Sequence, residues 1–384
     1  MAAVREIRYG VIGCGLMGRE FASAALRWRH LLALDFAPKI VAVCDPNAAA
    51  MTWFQESVPD VRLATTDYQD LLADSGVDAV YCAVPHHLHE AIYRDTLRAG
   101  KHLLGEKPFG IDQPANERIQ AEIAAHPDVL VRCSSEFPFF PGAQQIVRQI
   151  AGDAFSTILE VRAGFLHSSD MDPQKPINWK RRIATNGAYG CMGDLGMHVL
   201  HIPLRAGWMP ENVRAILSNI VPERPDGQGG MAVCDTWDNA TLFTEVRTAG
   251  QRFPLTLETK RIAPGEMNTW YLQVHGTRLS AEFSTKFPKT LRTLSYAPGA
   301  RQAWQVADIG YESCYPAITG GIFEFGFSDA ILQMWAAFCD EVANGPSGMR
   351  QPFRCVTPEE TGLCHQVLTA ALQSHKQQQA VALL

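Results

Sequence analysis

Three residues of this chain combine side-chain chemistry with informative spacing. Asp194 and His198 lie four positions apart in GAYGCMGDLGMH (Gly187 to His198), and Lys107 stands in GEKP after an apolar run. Four residues on a helix place the carboxylate and the imidazole on one face, so both can point into one cleft. An imidazole titrates near neutrality and can take a hydroxyl proton, while an ammonium can hydrogen-bond an oxygen on which alkoxide charge develops. A lysine can also release its proton when a second cation is close, which an arginine cannot. Each residue also has a plainer reading: Asp194 as a helix cap, His198 as a packed histidine, Lys107 as a surface charge at a turn.

A fourth constellation is GCGLMG, Gly13 to Gly18, which fits G-x-G-x-x-G and lies after an expected strand and before an expected helix. Gly13 permits the tight turn, Gly15 lets the backbone approach a pyrophosphate, and Gly18 lets helix and strand pack closely. The amides of Cys14, Leu16 and Met17 in the same turn stand where a helix start attracts phosphate. Asp45 closes the next strand, where a carboxylate accepts hydrogen bonds from both adenosine ribose hydroxyls and repels a 2′-phosphate. This pairing favours NAD over NADP. VPHHLH, Val84 to His89, ends a third strand, so Pro85, His86 and His89 are expected along the dinucleotide, with Glu106 facing the cofactor or the protein.

The elements that position these residues fall into two styles. Strands at Ile40 to Asp45, in VDAVYCAVP, in KHLLGEKP and at Val129 to Glu136 alternate with helices, including one over His87 to Ala99. That alternation gives an α/β Rossmann domain with a parallel, doubly wound sheet over residues 1–135. After about Gly152, STILEVRAGFLH, TWDNATLFTEV, FPLTLETKRI, TWYLQVHGT, RLSAEFS and LRTLSYAP read as strands with few helices between them. Residues 136–384 are therefore expected to form an α+β domain around a large, mainly antiparallel β-sheet flanked by helices. Its expected helices are 193–207, 329–344 and 358–377, the last opening on Thr357 with Glu360 three positions on and packing back on the first domain.

Bulk properties remove several function classes. With 384 residues, 47% hydrophobic and 19% charged, the chain is long enough for two ordinary cores. A net charge of −6 argues against a nucleic-acid partner, since phosphate neutralisation needs a lysine and arginine surplus. Ten cysteines show no C-x-x-C pair or zinc spacing, so no metal is expected. The start, MAAVREIRYGVIGCG, has charges where a signal peptide needs its apolar run, and no segment reads as a membrane span; the expectation is a cytoplasmic protein.

Together, GCGLMG, Asp45, AGKHLLGEKP and GDLGMH resemble the Gfo/Idh/MocA family of NAD(P)-dependent sugar and cyclitol oxidoreductases. The resemblance runs over most of the chain, through TPEETGLCHQVLTAALQSHK. It implies that Lys107 contacts the substrate hydroxyl and the nicotinamide end, that His198 exchanges the proton, and that Asp194 orients the hydroxyl or supports the histidine. It also implies a homodimer or homotetramer built on the broad sheet. Trp179 and Arg181, in WKRR, resemble a family Trp-Arg element near the pocket, with Trp179 as an apolar wall for a sugar face.

The chain also departs from the family pattern. Tyr189 replaces a glycine before the aspartate and is expected to narrow the pocket or stack on a sugar. Glu136 stands in EFPF where relatives carry a cation-containing segment, which points to a neutral or basic substrate unless Glu136 is a turn residue. His86 and His201 stand where an Asn and an Asp are common, as compensating changes or neutral variation. The expected function is an NAD-dependent dehydrogenase moving a hydride between nicotinamide C4 and a secondary ring hydroxyl of a sugar, cyclitol or related polyol. Two alternatives use the same fold: a glycoside-modifying enzyme with tightly bound NAD, and a sugar or nucleotide sensor without turnover.

Overall fold

A computed structural model describes all residues apart from 1–3, 249, 320–324 and 384. The first domain holds strands β1 (Arg5–Ile12), β2 (Phe36–Cys44), β3 (Leu63–Thr65), β4 (Ala79–Cys82), β5 (His102–Gly105) and β6 (Val131–Cys133). They pair in parallel in the order β3-β2-β1-β4-β5-β6. Helices α1 (Leu16–Leu26), α2 (Ala48–Ser57), α3 (Tyr68–Ala73), α4 (His89–Arg98) and α5 (Gln113–Ala125) connect them. Strand residues such as Tyr9, Val11, Val80, Tyr81 and Leu104 are fully buried, as a sheet covered on both faces requires. The order reverses between β1 and β4, so the loops after these two strands open a crevice at the carboxyl edge. That crevice receives Gly13–Gly18 and Val84–His89.

The second domain begins with α6 (Pro141–Ala151) and β7 (Ile158–Leu166), then α7 (Ile183–Asn186) and α8 (Cys191–Arg205). Strand β8 (Pro210–Ser218) and a small ribbon, β9 (Glu223–Pro225) with β10 (Met231–Val233), precede a run of long strands. These are β11 (Asn239–Arg247), β12 (Arg252–Lys260), β13 (Thr269–Gly276), β14 (Leu279–Ser284), β15 (Thr290–Ser295) and β16 (Gln305–Asp308). The chain closes with α9 (Phe327–Asn344), α10 (Pro358–Gln377) and β17 (Val381–Ala382). A nine-stranded sheet results, in the order β16-β15-β14-β13-β7-β12-β11-β8-β17. All its pairings are antiparallel except β7 with β12. Burial alternates along β11, β12 and β13, and the buried face packs under α8, α10 and α6. The fold class expected from the sequence is the one observed.

One feature departs from the expected layout. Helix α9 leaves the second domain and packs on α1, β1 and β2. Trp335 seats against Tyr9 and Phe21 at ring distances of 4.6 and 5.3 Å, and Phe21 stacks on Tyr81 at 3.5 Å. A division at residues 135 and 136 therefore does not separate two cores. Helix α10 is capped reciprocally by Thr357 and Glu360 and touches α5, α8 and β8, so it straddles both domains.

Candidate active site

Strand β5 runs out at Gly105, and the next residues enter the crevice. Glu106 turns into the protein, accepting from Tyr81 Oη at 2.9 Å and from Ser134 Oγ, while its carbonyl accepts from Tyr93 Oη at 2.8 Å. Gly105 is obligatory here, since a Cβ would come within 2.7 Å of the Tyr93 ring. Lys107 then points across the cleft, and its Nζ donates to Asp194 Oδ1 at 2.8 Å.

Asp194 lies in the first turn of α8, a helix in which every residue but Arg205 is buried. The helix starts on Gly190, at φ +58°, where a Cβ would stand 2.5 Å from the Trp237 backbone nitrogen. Asp194 is 2% exposed and is shared by three cations. Besides Lys107, Lys180 Nζ donates to it at 3.1 and 3.2 Å, and Arg261 forms a close ion pair with Oδ2. A carboxylate so placed keeps three buried or half-buried cations compatible with a dry site.

His198 sits one helical turn later, edge-on to Phe137 and Phe165 at 5.2 and 5.5 Å. Its Nδ1 lies 3.2 Å from Ser135 Oγ, and its backbone carbonyl accepts from Trp270 Nε1 at 2.9 Å. Burial holds the imidazole well below the usual histidine range, and the charge of Lys107 adds to that. It is therefore a neutral base at pH 7. Burial also lowers the Lys107 ammonium, a shift that Glu106 opposes and Arg261 reinforces. Lys180 is pushed well below its ordinary range by burial, then by Arg261 and Lys107.

Lys107, Asp194 and His198 line one cavity of about 530 Å³, which continues to Gly15, Leu16 and Met17 at the start of α1. Pro85, His86, Glu106, Glu136, Trp179 and Lys180 also line it, so the cavity joins the glycine loop to Lys107, Asp194 and His198. The loop's three glycines differ in what surrounds them. A Cβ on Gly13, at φ +98°, would stand 2.5 Å from the Ala83 carbonyl, and one on Gly18 would run into the Gly13 carbonyl. A Cβ on Gly15 would meet nothing within 4 Å, so the open space lies above that residue. Helix α1 has no side-chain N-cap and no acidic residue in its first turn, leaving its leading amides free for an anion. Asp45 is not among the cavity-lining residues but touches the glycine loop, accepting from Cys14 N at 2.9 Å and Asn47 N at 2.9 Å, with a further lone pair on each oxygen. This arrangement fits a dinucleotide: an uncapped helix start, a bare Cα for the pyrophosphate, and a carboxylate beyond it.

Several residues expected at the site lie elsewhere. The Tyr189 side chain points to α10, with Oη 2.7 Å from Thr369 Oγ1 and 3.3 Å from His365 Nδ1, so it ties two elements together and does not line the cavity. Arg181 is buried between Asp170 and Asp238, pairing with the second at 2.5 Å, and also stays out of the cavity. His89 stacks on Tyr93 at 4.8 Å and bonds the Val84 carbonyl at 3.0 Å, beneath the lining. Cys14 contributes its backbone only, its thiol being directed at the Cys44 carbonyl. His201, which the sequence leaves open as a compensating change or neutral variation, packs against Phe353 at 5.2 Å and contacts Arg205 at 3.1 Å, outside the cavity lining.

Three site residues escaped the sequence reading. Lys180, not Arg181, faces Asp194, because Trp179–Arg181 form a 3-10 turn in which successive side chains diverge. Arg261 follows β12 with no motif to mark it. Ser135 ends the chain's approach from β6, and the rule that ligands gather at carboxyl strand ends was the available signal. Among the described residues no cluster of three or more potential ligands could hold a metal, and no helix is long and apolar enough to cross a membrane.

Residues 7–132 match the model of an oxidoreductase family with an NAD-binding Rossmann fold. The chain is 26% identical over 300 residues to levoglucosan dehydrogenase of Pseudarthrobacter phenanthrenivorans, spanning 73% of this chain and 74% of that one. It is 31% identical over 144 residues to inositol 2-dehydrogenase 1 of Saccharopolyspora erythraea, 38% and 41% of the two chains. Among solved structures, levoglucosan dehydrogenase in complex with NADH and levoglucosan superposes with a TM-score of 0.87 at 21% identity, covering 99% of this chain and 100% of that one. That last likeness is one of fold.

Proposed function

The chain belongs to the Gfo/Idh/MocA family of oxidoreductases with an NAD-binding Rossmann fold, and from that premise we propose that it is an NAD-dependent dehydrogenase acting on a secondary ring hydroxyl of a sugar, cyclitol or related polyol. One observation carries the reading: Lys107, Asp194 and His198 line the same cavity as the glycine loop. The relatives named as levoglucosan and inositol dehydrogenases support the substrate class.

Gly15, Leu16 and Met17 hold the pyrophosphate, Asp45 holds the adenosine ribose, and Pro85 and His86 line the path to the reacting end. When bound, the nicotinamide supplies the hydride acceptor for oxidation and the donor for reduction. His198 takes the substrate hydroxyl proton at the ring nitrogen that faces the cavity. Lys107 donates to the same oxygen and stabilises charge developing there. Asp194 fixes the Lys107 ammonium and the neighbouring Lys180 in place. Trp179, Phe165 and Phe137 form apolar walls suited to a sugar face. Self-association is supported by the uncovered face of the nine-stranded sheet, where Ile216 and Phe243 are exposed.

The test is a panel of sugars and inositols with NAD and NADP, followed by nicotinamide absorbance. Turnover of at least one polyol with NAD preferred is expected; no turnover, with ligand binding unchanged in Lys107→Ala, would return the chain to the sensor reading.

A further inference from the structure

The two ring nitrogens of His198 meet different surroundings. Nδ1 lies 3.2 Å from Ser135 Oγ and 3.9 Å from Glu136 Oε2. Nε2 has no protein partner among the described residues, on a ring that lines the cavity. Asp194, one turn earlier on the same helix, is occupied by Lys107, Lys180 and Arg261 and makes no hydrogen bond to the imidazole. The carboxyl group nearest the histidine is thus Glu136. It is 3% exposed, lines the cavity, and has no hydrogen-bond partner among the described residues beyond its own backbone N–H. An unpaired buried carboxyl beside a catalytic imidazole is costly to keep unless it has work to do.

We propose that Glu136 is a second acid-base group of this site, exchanging a proton with His198 Nδ1 while Nε2 serves the substrate hydroxyl. The assignment rests on the dehydrogenase reading for its purpose, but not for its geometry. In alcohol oxidation the substrate O–H bond breaks and its proton forms an N–H bond at Nε2. The Nδ1–H bond breaks as the 3.9 Å gap closes, and that proton forms an O–H bond on Glu136. The electron pair leaves with the carbon-bound hydrogen as hydride to NAD⁺, so the carbonyl product, a neutral imidazole and a protonated Glu136 remain. Reduction runs the same transfers backwards. Ser135 Oγ holds the ring so that each nitrogen keeps its task.

The surroundings set the pH at which this exchange operates. Facing Glu136 and His198 are Glu106 and Lys107 after β5, Asp194 and His201 on α8, His167 after β7 and Lys180 in the 3-10 turn. Burial, and then the charge of Glu106, push the Glu136 carboxyl up to about 8, against the pull of its own N–H and of Lys107. A carboxyl raised in this way becomes the proton acceptor only as pH climbs through about 8. Oxidation should therefore gain a basic limb there, and reduction should lose one.

The first measurement needs no substrate: imidazole ¹⁵N shifts of His198, assigned with His198→Asn, followed from pH 6 to 10 in the full chain. The wild type should show an inflection near pH 8 that disappears in Glu136→Gln. Flat wild-type shifts, or the same inflection in both proteins, overturn the proposal. If Glu136→Gln does not fold, Glu136→Asp takes its place; its shorter reach should move the inflection, and an unmoved one overturns the assignment. With any polyol that is turned over, Glu136→Gln should lose the limb near pH 8 and roughly tenfold to hundredfold in oxidation rate. A loss of rate with the limb intact marks a structural role and also overturns it. Failure of every polyol would sink the dehydrogenase reading alone, since the spectroscopic result stands without it.

Discussion

Lys107 Nζ and Asp194 Oδ1, 2.8 Å apart, come from the end of a parallel strand in one domain and the first turn of a helix in the other. The contact fixes an ammonium at the point where the glycine-loop crevice meets the second domain. Lys107→Met should fold and still bind NADH, yet lose on the order of 10²-fold or more in kcat. Lys107→Arg should not restore it, because a guanidinium neither fits the same point contact nor releases a proton. Steady-state rates beside NADH fluorescence titrations separate the two effects; weakened NADH binding with kcat intact would assign Lys107 to cofactor grip alone.

Gly15 and Gly18 should respond in opposite ways to alanine. Space is free above Gly15, so Gly15→Ala should keep its thermal midpoint while NAD affinity falls at least about tenfold. Gly18→Ala forces a methyl into the Gly13 carbonyl and should cost about 1–3 kcal/mol of stability. Thermal melts with and without NAD read both outcomes together.

Asp45 is proposed to set the choice of dinucleotide. Asp45→Ser removes the charge that repels a 2′-phosphate and the acceptor for the ribose hydroxyls, so the NAD to NADP ratio of kcat/KM should drop by about tenfold or more. An unchanged ratio would place discrimination elsewhere.

Arg181 holds the second domain together from beneath the site. Arg181→Met leaves Asp170 and Asp238 buried without their shared cation, and should cost about 3–5 kcal/mol in urea unfolding. A cost under about 1 kcal/mol would mean that the partners these carboxylates already have, Lys175 and Arg261 on Asp170 and the Ile220 and Val221 N–H groups on Asp238, suffice without it.

Buried histidines make stability fall in acid. Burial lowers His89 to about 3 and His365 to about 4, below the unfolded value of roughly 6.5. The unfolded chain therefore binds more protons in acid. Their contribution is complete above about pH 6.5 and is lost as pH falls toward the folded values, by about 1.4 kcal/mol per pH unit for each histidine. His89→Phe should flatten the decline between pH 6.5 and 5 by roughly 2 kcal/mol. Denaturant melts at pH 7, 6 and 5 test it, and parallel slopes for the two proteins would refute the linkage.

Much of this arrangement was legible in residue order, and the limits of that legibility are physical. Alternating apolar runs and helices foretold the parallel sheet, and Thr357 with Glu360 foretold the start of α10, because period and capping are local properties. The Asp194 to His198 spacing foretold one shared helix face. What the spacing could not carry was partner choice: three cations converge on Asp194 from β5, from a 3-10 turn and from the end of β12, and only the fold brings them together. Tyr189 failed as a pocket residue for a related reason. Its loop leads into α8, whose Asp194 and His198 line the cavity, but its hydroxyl finds Thr369 on a helix 180 positions later. In WKRR, adjacent basic residues diverge around a tight turn, so the sequence named the right segment and the wrong side chain.

The return of α9 to the first domain bears on how this protein can be cut and recombined. Residues 7–132, the part matched by the oxidoreductase family model, contain the glycine loop and all or most of each of the six parallel strands, but not the helix that carries Trp335. Excised alone, that fragment would bare the aromatic faces of Tyr9 and Phe21. It would also strand Arg132 without Glu341, its partner at 2.8 Å on α9. A chimera that exchanges cofactor preference with a relative must therefore move two separate stretches of chain, and the substrate half must be inserted between them rather than appended.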